Sequence, residues 1–205
     1  MPESATLVYP LRMPARPGYV EVTWRMDSVV QVLTSPFTFA QKTNAWPGQR
    51  WGAAVKLPEM QPVLGREWIA FFASLNGLEG TFLLRDSAFA LREVGDGLGY
   101  PETDGAQVAG KVVTTKGWTP SLQVLRAGDM IEIAGRLRRV LLNVHSDDDG
   151  KAILNVWPNI IALGDGVPVE WLEPKGLFRL DAEVETVWNR NRNLASLTFA
   201  CTEVL

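Results

Sequence analysis

The sequence predicts a mainly β fold: a β-sandwich or split-barrel domain with one α-helix, plus an inserted small β-barrel or β-sandwich domain. Three observations support this. Short apolar–polar alternations recur along the chain and are separated by turns rich in Gly, Pro and Asp. Helical spacing of apolar residues stands out in one segment. The 205 residues are 46% hydrophobic and 21% charged, which is the ordinary balance of a globular protein.

The first 57 residues predict an extended arm followed by a series of strands. Prolines occupy four of the first twenty positions and exclude a helix interior there. Alternation predicts five short strands in this part of the chain, at residues 6–9, 19–26, 29–33, 37–42 and 50–57. A turn is expected at Ser35-Pro36, and Pro47-Gly48 precedes the last of these strands.

One segment changes to helical periodicity, and it predicts a helix over residues 62–75. Its apolar residues recur at intervals of three and four: Val63, Leu64, Trp68, Ile69, Phe71, Phe72 and Leu75. Pro62 suits a first helical turn, and Asn76-Gly77 supplies a stop signal. Gly65 weakens the pattern, since glycine costs about 1 kcal/mol relative to alanine inside a helix. We expect this helix to cover one face or end of a sheet.

The clearest β pattern lies between residues 125 and 160 and predicts a meander with a structural role. Its strands are expected at residues 130–133, 137–144 and 152–157, joined by turns at Ala134-Gly135 and at residues 146–150. Glycine and aspartate fit such turns because glycine tolerates positive φ and aspartate bonds its own backbone.

The remaining strands suggest a discontinuous organisation. They are predicted at residues 80–85, 108–115, 121–125, 169–172, 177–180, 183–188 and 196–201, with a loop over 86–107. We expect residues 1–85 and 177–205 to form one β domain with the helix. Residues 86–176 would form the inserted β domain, with its two ends close together.

Charge, cysteine content and hydropathy limit the partners. The formal net charge is −3, so no overall positive field attracts nucleic acid. Arg136, Arg138 and Arg139 are expected on a solvated strand edge. Cys201 is the only cysteine, which excludes an internal disulfide or a multi-cysteine zinc site. Neither a membrane-spanning run of about 20 apolar residues nor a signal-peptide pattern occurs, which predicts assembly in the cytoplasm without a membrane partner.

The chain has eight tryptophans, a high number for its length. Large aromatic residues dominate both cores and interfaces. Because small β domains have little interior, we expect some of these tryptophans at contacts between subunits.

Two candidate chemical groups have simpler structural interpretations. Residues 147–149 are all aspartate, and Asp147 and Asp149 match the first positions of a calcium loop, but Lys151 and an apolar run end the pattern. A hairpin turn ending in Gly150 is favoured. His145 is the only histidine, so a Cys201–His145 nucleophile pair requires these two residues to meet.

Two further groups are also weak. Glu183 and Glu185 share a predicted strand face, so they could form the carboxylate pair of a glycosidase. Exposed carboxylates on strands are, however, usually solvated. The glycines at positions 95, 97 and 99 lack the strand–helix context of a phosphate loop. Residues 190–193 predict an exposed polar turn. We therefore predict no catalytic, cofactor-binding or metal site, no cofactor, and no enzymatic activity.

Several segments, taken in order, resemble the distal tail proteins of long-tailed (siphovirus-like) bacteriophages and prophages. They are residues 68–77, 80–86, 125–129, 153–158 and 176–180, within a region from about 51 to 205. The glycine-rich part after Asp86 departs most from the family pattern.

The resemblance implies a virion protein that forms a ring, usually a hexamer, joining the tail tube to the tip or baseplate hub. It implies self-association and contacts with the tube and hub proteins, with the discontinuous domain building the ring and the inserted domain facing outward. Two alternatives stay open. One is a carbohydrate-binding module of a tail or cell-surface protein. The other is a hydrolase that depends on Glu183 or Glu185.

Overall fold

The computed structural model describes residues 7–86, 97–189 and 194–205. In this part of the chain there are one helix and fifteen strands, arranged in two large sheets and one small one. The elements are β1 (Leu11–Arg12), β2 (Glu21–Thr34), β3 (Gln41–Lys56), α1 (Pro62–Ser74), β4 (Phe82–Leu84), β5 (Gly99–Thr103), β6 (Gly110–Trp118), β7 (Gln123–Leu125), β8 (Met130–Ile133), β9 (Arg136–Val140), β10 (Val144–His145), β11 (Ala152–Ile160), β12 (Val169–Glu170), β13 (Gly176–Leu180), β14 (Thr186–Asn189) and β15 (Leu194–Glu203). The predicted mainly β class with a helix is confirmed.

The first sheet combines strands from both ends of the chain. Its order is β1-β4-β13-β15-β3-β2, and β14 also pairs with β15. Helix α1 packs on this sheet through aromatic side chains. The Phe71 ring lies 5.8 Å from Phe82, and the Phe72 ring lies 5.1 Å from Phe199, both in edge-to-face geometry. This arrangement is favourable because the positive edge of one ring meets the negative face of the other.

The second sheet forms a nearly closed barrel. Its order is β12-β8-β9-β11-β6-β5, and its two outer strands meet through a bridge between Glu102 and Pro168. The backbone N–H of Thr103 also donates to the carbonyl of Val167 at 2.9 Å. Inward-facing apolar residues fill the interior, as the period-two alternation of each strand requires. The small β7–β10 sheet adds its side chains to the same core.

The two large sheets touch along β3, β9 and β11. The indole N–H of Trp51 donates to the carbonyl of Leu137 at 3.1 Å, and the Trp51 ring packs edge-on against Trp157 at 4.5 Å. Met130 and Leu137 of the second sheet belong to the core of the first. The strands of the first sheet come from residues 11–84 and 176–203. In the sequence, these two segments flank the strands of the second sheet. The division into two domains stays a prediction, since the sheets share this core.

The predicted helix and meander are confirmed. Helix α1 begins at Pro62 and ends at Ser74, and Asn76 and Gly77 then adopt positive φ angles of 51° and 68°. Strands β8, β9 and β11 are neighbours in the barrel, as a meander requires. Gly65 is also explained, because a Cβ there lies 2.8 Å from the Cβ of Ala195 on β15. Its lack of a side chain allows the helix to approach the sheet.

The predicted strands at residues 29–33 and 37–42 are wrong as separate elements. β2 runs without interruption from Glu21 to Thr34, and residues 35–40 form the turn. β3 likewise continues through Pro47, where a register shift lies opposite β2 between Ser28 and Val30. A bulge tolerates proline because no ladder hydrogen bond is needed from its missing N–H.

Four smaller strand predictions also change. The N-terminal segment forms its strand at Leu11–Arg12 and not at residues 7–9, because Leu11 and Arg12 pair in parallel with β4; residue 6 of the predicted strand lies outside the described residues. The predicted strand 137–144 divides into β9 and β10, since β10 leaves the barrel to pair with β7. Part of the predicted loop is strand β5, and the strand predicted at 183–188 begins only at Thr186.

The arginine cluster does not lie on a solvated edge. β9 is an inner strand, and its arginines lie where the two sheets meet. Arg138 is buried, and this burial together with the charge of Arg136 lowers its pKa to about 10. Arg136 forms a 3.1 Å ion pair with the buried carboxylate of Glu203, and the guanidinium of Arg139 lies 5.4 Å from the centre of the Trp51 ring. These contacts bring together residues that are far apart in sequence.

Candidate assembly interface

The most unusual surface of the protein is the outer half of the β2–β3 hairpin. β3 pairs with β15 only through residues 52–56, so the preceding part of β3 pairs only with β2. Every residue from 28 to 47 is exposed, apart from the half-buried Ser35. We call residues 28–47 the hairpin arm. At about 3.3 Å per residue, it extends roughly 20 Å beyond the sheet.

The hairpin arm is apolar on both faces. Val32 and Leu33 are consecutive strand residues, so their side chains point to opposite faces, and both are about half exposed. At the turn, Phe37 is 92% exposed and Phe39 is 78% exposed. The other large hydrophobic side chains exposed on the arm are those of Val29, Val30 and Trp46. An isolated two-stranded ribbon is marginally stable in water, and no other element of the described chain covers this arm.

The β2 edge of the arm, at residues 28–34, carries neither a charged residue nor a proline. β2 is the outermost strand of its sheet, and one edge of its 14 residues has no strand neighbour among the described residues. Lys42 is the only charged residue between positions 28 and 47. Natural edges are usually blunted by charge, proline or short length. The low charge density of this segment is the sequence signal that identifies the arm.

Charged residues mark where the arm leaves the sheet. Asp27 accepts hydrogen bonds from the Nε and Nη2 atoms of Arg25 at 2.8 and 3.1 Å, and Arg50 lies 3.7 Å away on the facing strand. The hydrogen bond from Arg25 lowers the pKa of Asp27. Beside this base, the Gln49 side chain accepts the backbone N–H of Asn159 at 2.8 Å. The base of the arm is therefore held by both sheets.

The aspartate cluster is a turn, as predicted. The Oδ1 atom of Asp147 accepts the backbone N–H groups of Asp149 at 3.0 Å and Lys151 at 2.7 Å. Gly150 follows with a φ of 72°. Among residues 7–86, 97–189 and 194–205, no group of three His, Cys, Asp or Glu side chains is placed to hold a metal ion.

The structure does not bring Cys201 and His145 together. Cys201 lies on β15 inside the core of the first sheet, and burial raises the pKa of its thiol. His145 lies exposed on β10, beside the barrel. A buried, protonated thiol is unreactive, since the thiolate is the nucleophile.

The other candidate groups also remain apart from any enclosed site. Glu183 and Glu185 are exposed and precede β14. Gly99 belongs to strand β5, Gly97 lies just before that strand, and Gly95 lies outside the described residues, as does the predicted turn at 190–193.

Six of the tryptophans are fully or partly buried, and two are substantially exposed. Trp46 lies on the hairpin arm with 49% of its surface exposed, and Trp188 lies on β14 with 44% exposed. The large ring of Trp46 therefore adds to the apolar surface of the arm.

The fold and this surface define a β-rich chain with an exposed, largely apolar hairpin arm. Within the described part of the chain, none of the helical structure is long and apolar enough to span a bilayer. No protein-family model matches the chain, and no curated protein matches its sequence.

Proposed function

We propose that this chain is a structural protein of a long-tailed bacteriophage, forming a ring at the distal end of the tail between the tail tube and the tip or baseplate hub. The ring assembles in the host cytoplasm and becomes part of the virion. By the family resemblance, it contains six copies.

The observation that carries this proposal is the hairpin arm. A side chain such as Phe37, which is 92% exposed at the end of an apolar ribbon, contributes little to the folded monomer. The same side chain stabilises an oligomer when a neighbour covers it, because apolar burial contributes about 25 cal/mol per Å². Aromatic residues are enriched among the anchors of protein interfaces.

The position of the arm favours a ring over a two-fold dimer. The arm extends from one side of the first sheet, and the base of the arm is fixed by both sheets. Docking on a different surface of the next copy gives a head-to-tail contact, which closes into a ring when the rotation between copies allows it. The exposed Val187 and Trp188 on β14 offer an apolar surface away from β2, separated from it in the sheet by β15 and β3.

Negative-stain imaging and light scattering of the purified chain test the proposal. The expected result is a closed ring whose mass is a fixed multiple of the chain mass. A protein that stays monomeric at high concentration and is absent from purified phage particles would contradict it.

Labelling of particles locates the protein independently. Antibodies against the chain are expected to mark the end of the tail distant from the capsid. Label on the capsid or along the whole tail would contradict the distal position while leaving ring formation intact.

A further inference from the structure

An open groove of about 800 Å³ lies along the seam of the barrel, where β5 and β12 meet. Tyr100 and Glu102 line it from β5, while Glu170 and Trp171 line it from β12 and the residue that follows. The two strands are joined there by the Glu102–Pro168 bridge and by adjacent hydrogen bonds between Thr103 and the loop before β12. The groove is separate from the hairpin arm.

Tyr100 is presented to this groove with almost no contact inside the chain. Its surface is 97% exposed, although it lies in a strand. The neighbouring Gly99 has a φ of 85°, and a Cβ on it lies 2.2 Å from the carbonyl oxygen of Gly117 on β6. The Trp171 indole N–H points to the carbonyl of Gly99 at 3.4 Å. The backbone beside Tyr100 is therefore closely constrained, whereas its ring is free to bind a ligand.

The polar groups of the groove are mainly hydrogen-bond acceptors. The lining includes the carboxylates of Glu102, Glu132, Glu170 and Glu173, and Lys175 is its only described lysine or arginine. Each of these carboxylates already has one partner in the chain, so a ligand would meet their remaining acceptor sites. Partial burial raises the pKa of Glu132, although this carboxylate accepts the backbone N–H of Lys175 at 2.9 Å. Ionised carboxylates accept hydrogen bonds and cannot donate them. A matching ligand must supply donors and cannot be a polyanion.

The backbone of the seam does not suit an added peptide strand. Pro101 and Pro168, one on each side of the groove, carry no N–H. β12 already pairs with β8 on its other side. Peptides that extend a sheet depend on such main-chain donors and acceptors. Recognition here therefore depends on side chains, namely an aromatic ring and several carboxylates.

We propose that this groove binds an oligosaccharide of neutral or amino-bearing sugars, with one sugar ring stacked on Tyr100 and its hydroxyl or ammonium groups donating to the carboxylates. A pyranose ring combines an apolar face with many donors, which matches this lining. The site adds a binding activity to the protein and does not depend on ring assembly.

Binding titrations of the full chain test this site with four probes: cellohexaose, chitohexaose, fully deacetylated chitosan hexamer and hexalysine. We expect at least one of the sugars to bind. Tyr100→Ala is expected to weaken this binding about tenfold or more, the factor equivalent to about 1.4 kcal/mol of lost contact. Tyr100→Phe keeps the stacking ring and is expected to bind as the parent does.

Phe37→Ala is the matched control, because it removes a similarly exposed aromatic ring that does not line the groove. It is expected to leave sugar binding unchanged. The proposal is overturned if none of the three sugars binds at about 10 mM, a concentration well above the dissociation constant that corresponds to a binding free energy of about −4 kcal/mol. Sugar binding that survives Tyr100→Ala also overturns it. Binding of hexalysine alone overturns it in favour of a site for basic peptides.

Discussion

Replacing Phe37 by alanine is expected to weaken self-association while leaving the folded monomer intact. A phenylalanine side chain has about 200 Å² of surface to bury, so the 92% exposed ring offers about 180 Å² to a neighbour. At about 25 cal/mol per Å², complete burial contributes at most about 4.5 kcal/mol. Incomplete burial and the ordering of the arm reduce this to about 2 kcal/mol. The expected effect is an assembly midpoint about 30-fold higher in protein concentration.

Sedimentation velocity over a series of protein concentrations measures this midpoint. Tyr100→Ala is the matched control, because it removes an aromatic ring of similar exposure from the barrel groove. Urea unfolding of both variants under conditions where they are monomeric checks the fold, and both are expected to match the parent protein.

Two results would refute the reasoning about the arm. One is an unchanged assembly midpoint for Phe37→Ala, which means that no neighbour covers this ring. The other is a loss of monomer stability of more than about 1 kcal/mol, well above the usual effect of an exposed substitution. The second result indicates that the ring packs within its own chain.

Three further predictions concern the fold itself. Gly65→Ala is expected to destabilise the protein by about 1–3 kcal/mol in urea unfolding, because the added Cβ crowds Ala195 and overpacking outweighs the better helix propensity of alanine; equal or greater stability would contradict this. Arg136→Ala is expected to cost about 3 kcal/mol, because it leaves the buried Glu203 carboxylate without its guanidinium, whereas replacing both residues by methionine is expected to cost less. Cys201 is expected to resist thiol reagents until the protein unfolds. Because its folded thiol keeps the proton that the unfolded thiol releases above about pH 8.5, stability falls as pH rises beyond that value; rapid labelling of the native protein would contradict this.

Local signals predicted the elements that depend on neighbouring residues. The helix begins at Pro62 and is stopped by Asn76-Gly77, as the sequence pattern indicated. The first turn of the meander also depends on local backbone preference, since Ala134 and Gly135 both adopt positive φ in a two-residue turn. The backbone preferences that act in these places extend over only a few residues, so they can be identified from the sequence.

The sequence did not predict the hairpin arm, because the turn signals along it are also local. Ser35-Pro36 and Pro47-Gly48 are both typical turn sequences, but only the first lies in a turn. The second remains within a strand because a bulge in its pairing with β2 accommodates it. Which of two turn signals interrupts a strand depends on the partner strand.

The arginine cluster and the groove show the same limit over longer separations. Arg136 meets Glu203 from 67 positions away, and Trp171 reaches Gly99 from 72 positions away. Nothing in the sequence near Arg138 indicates that two sheets will enclose it.

The sequence by itself determined the β-rich class, the position of the helix and most of the tight turns, because periodicity and backbone preference are local properties. Only the tertiary structure decided which strands continue beyond the sheet, which arginines are buried and where an exposed tyrosine meets a group of carboxylates. These features depend on strand pairing and on the closure of the barrel, which bring together residues that are far apart along the chain.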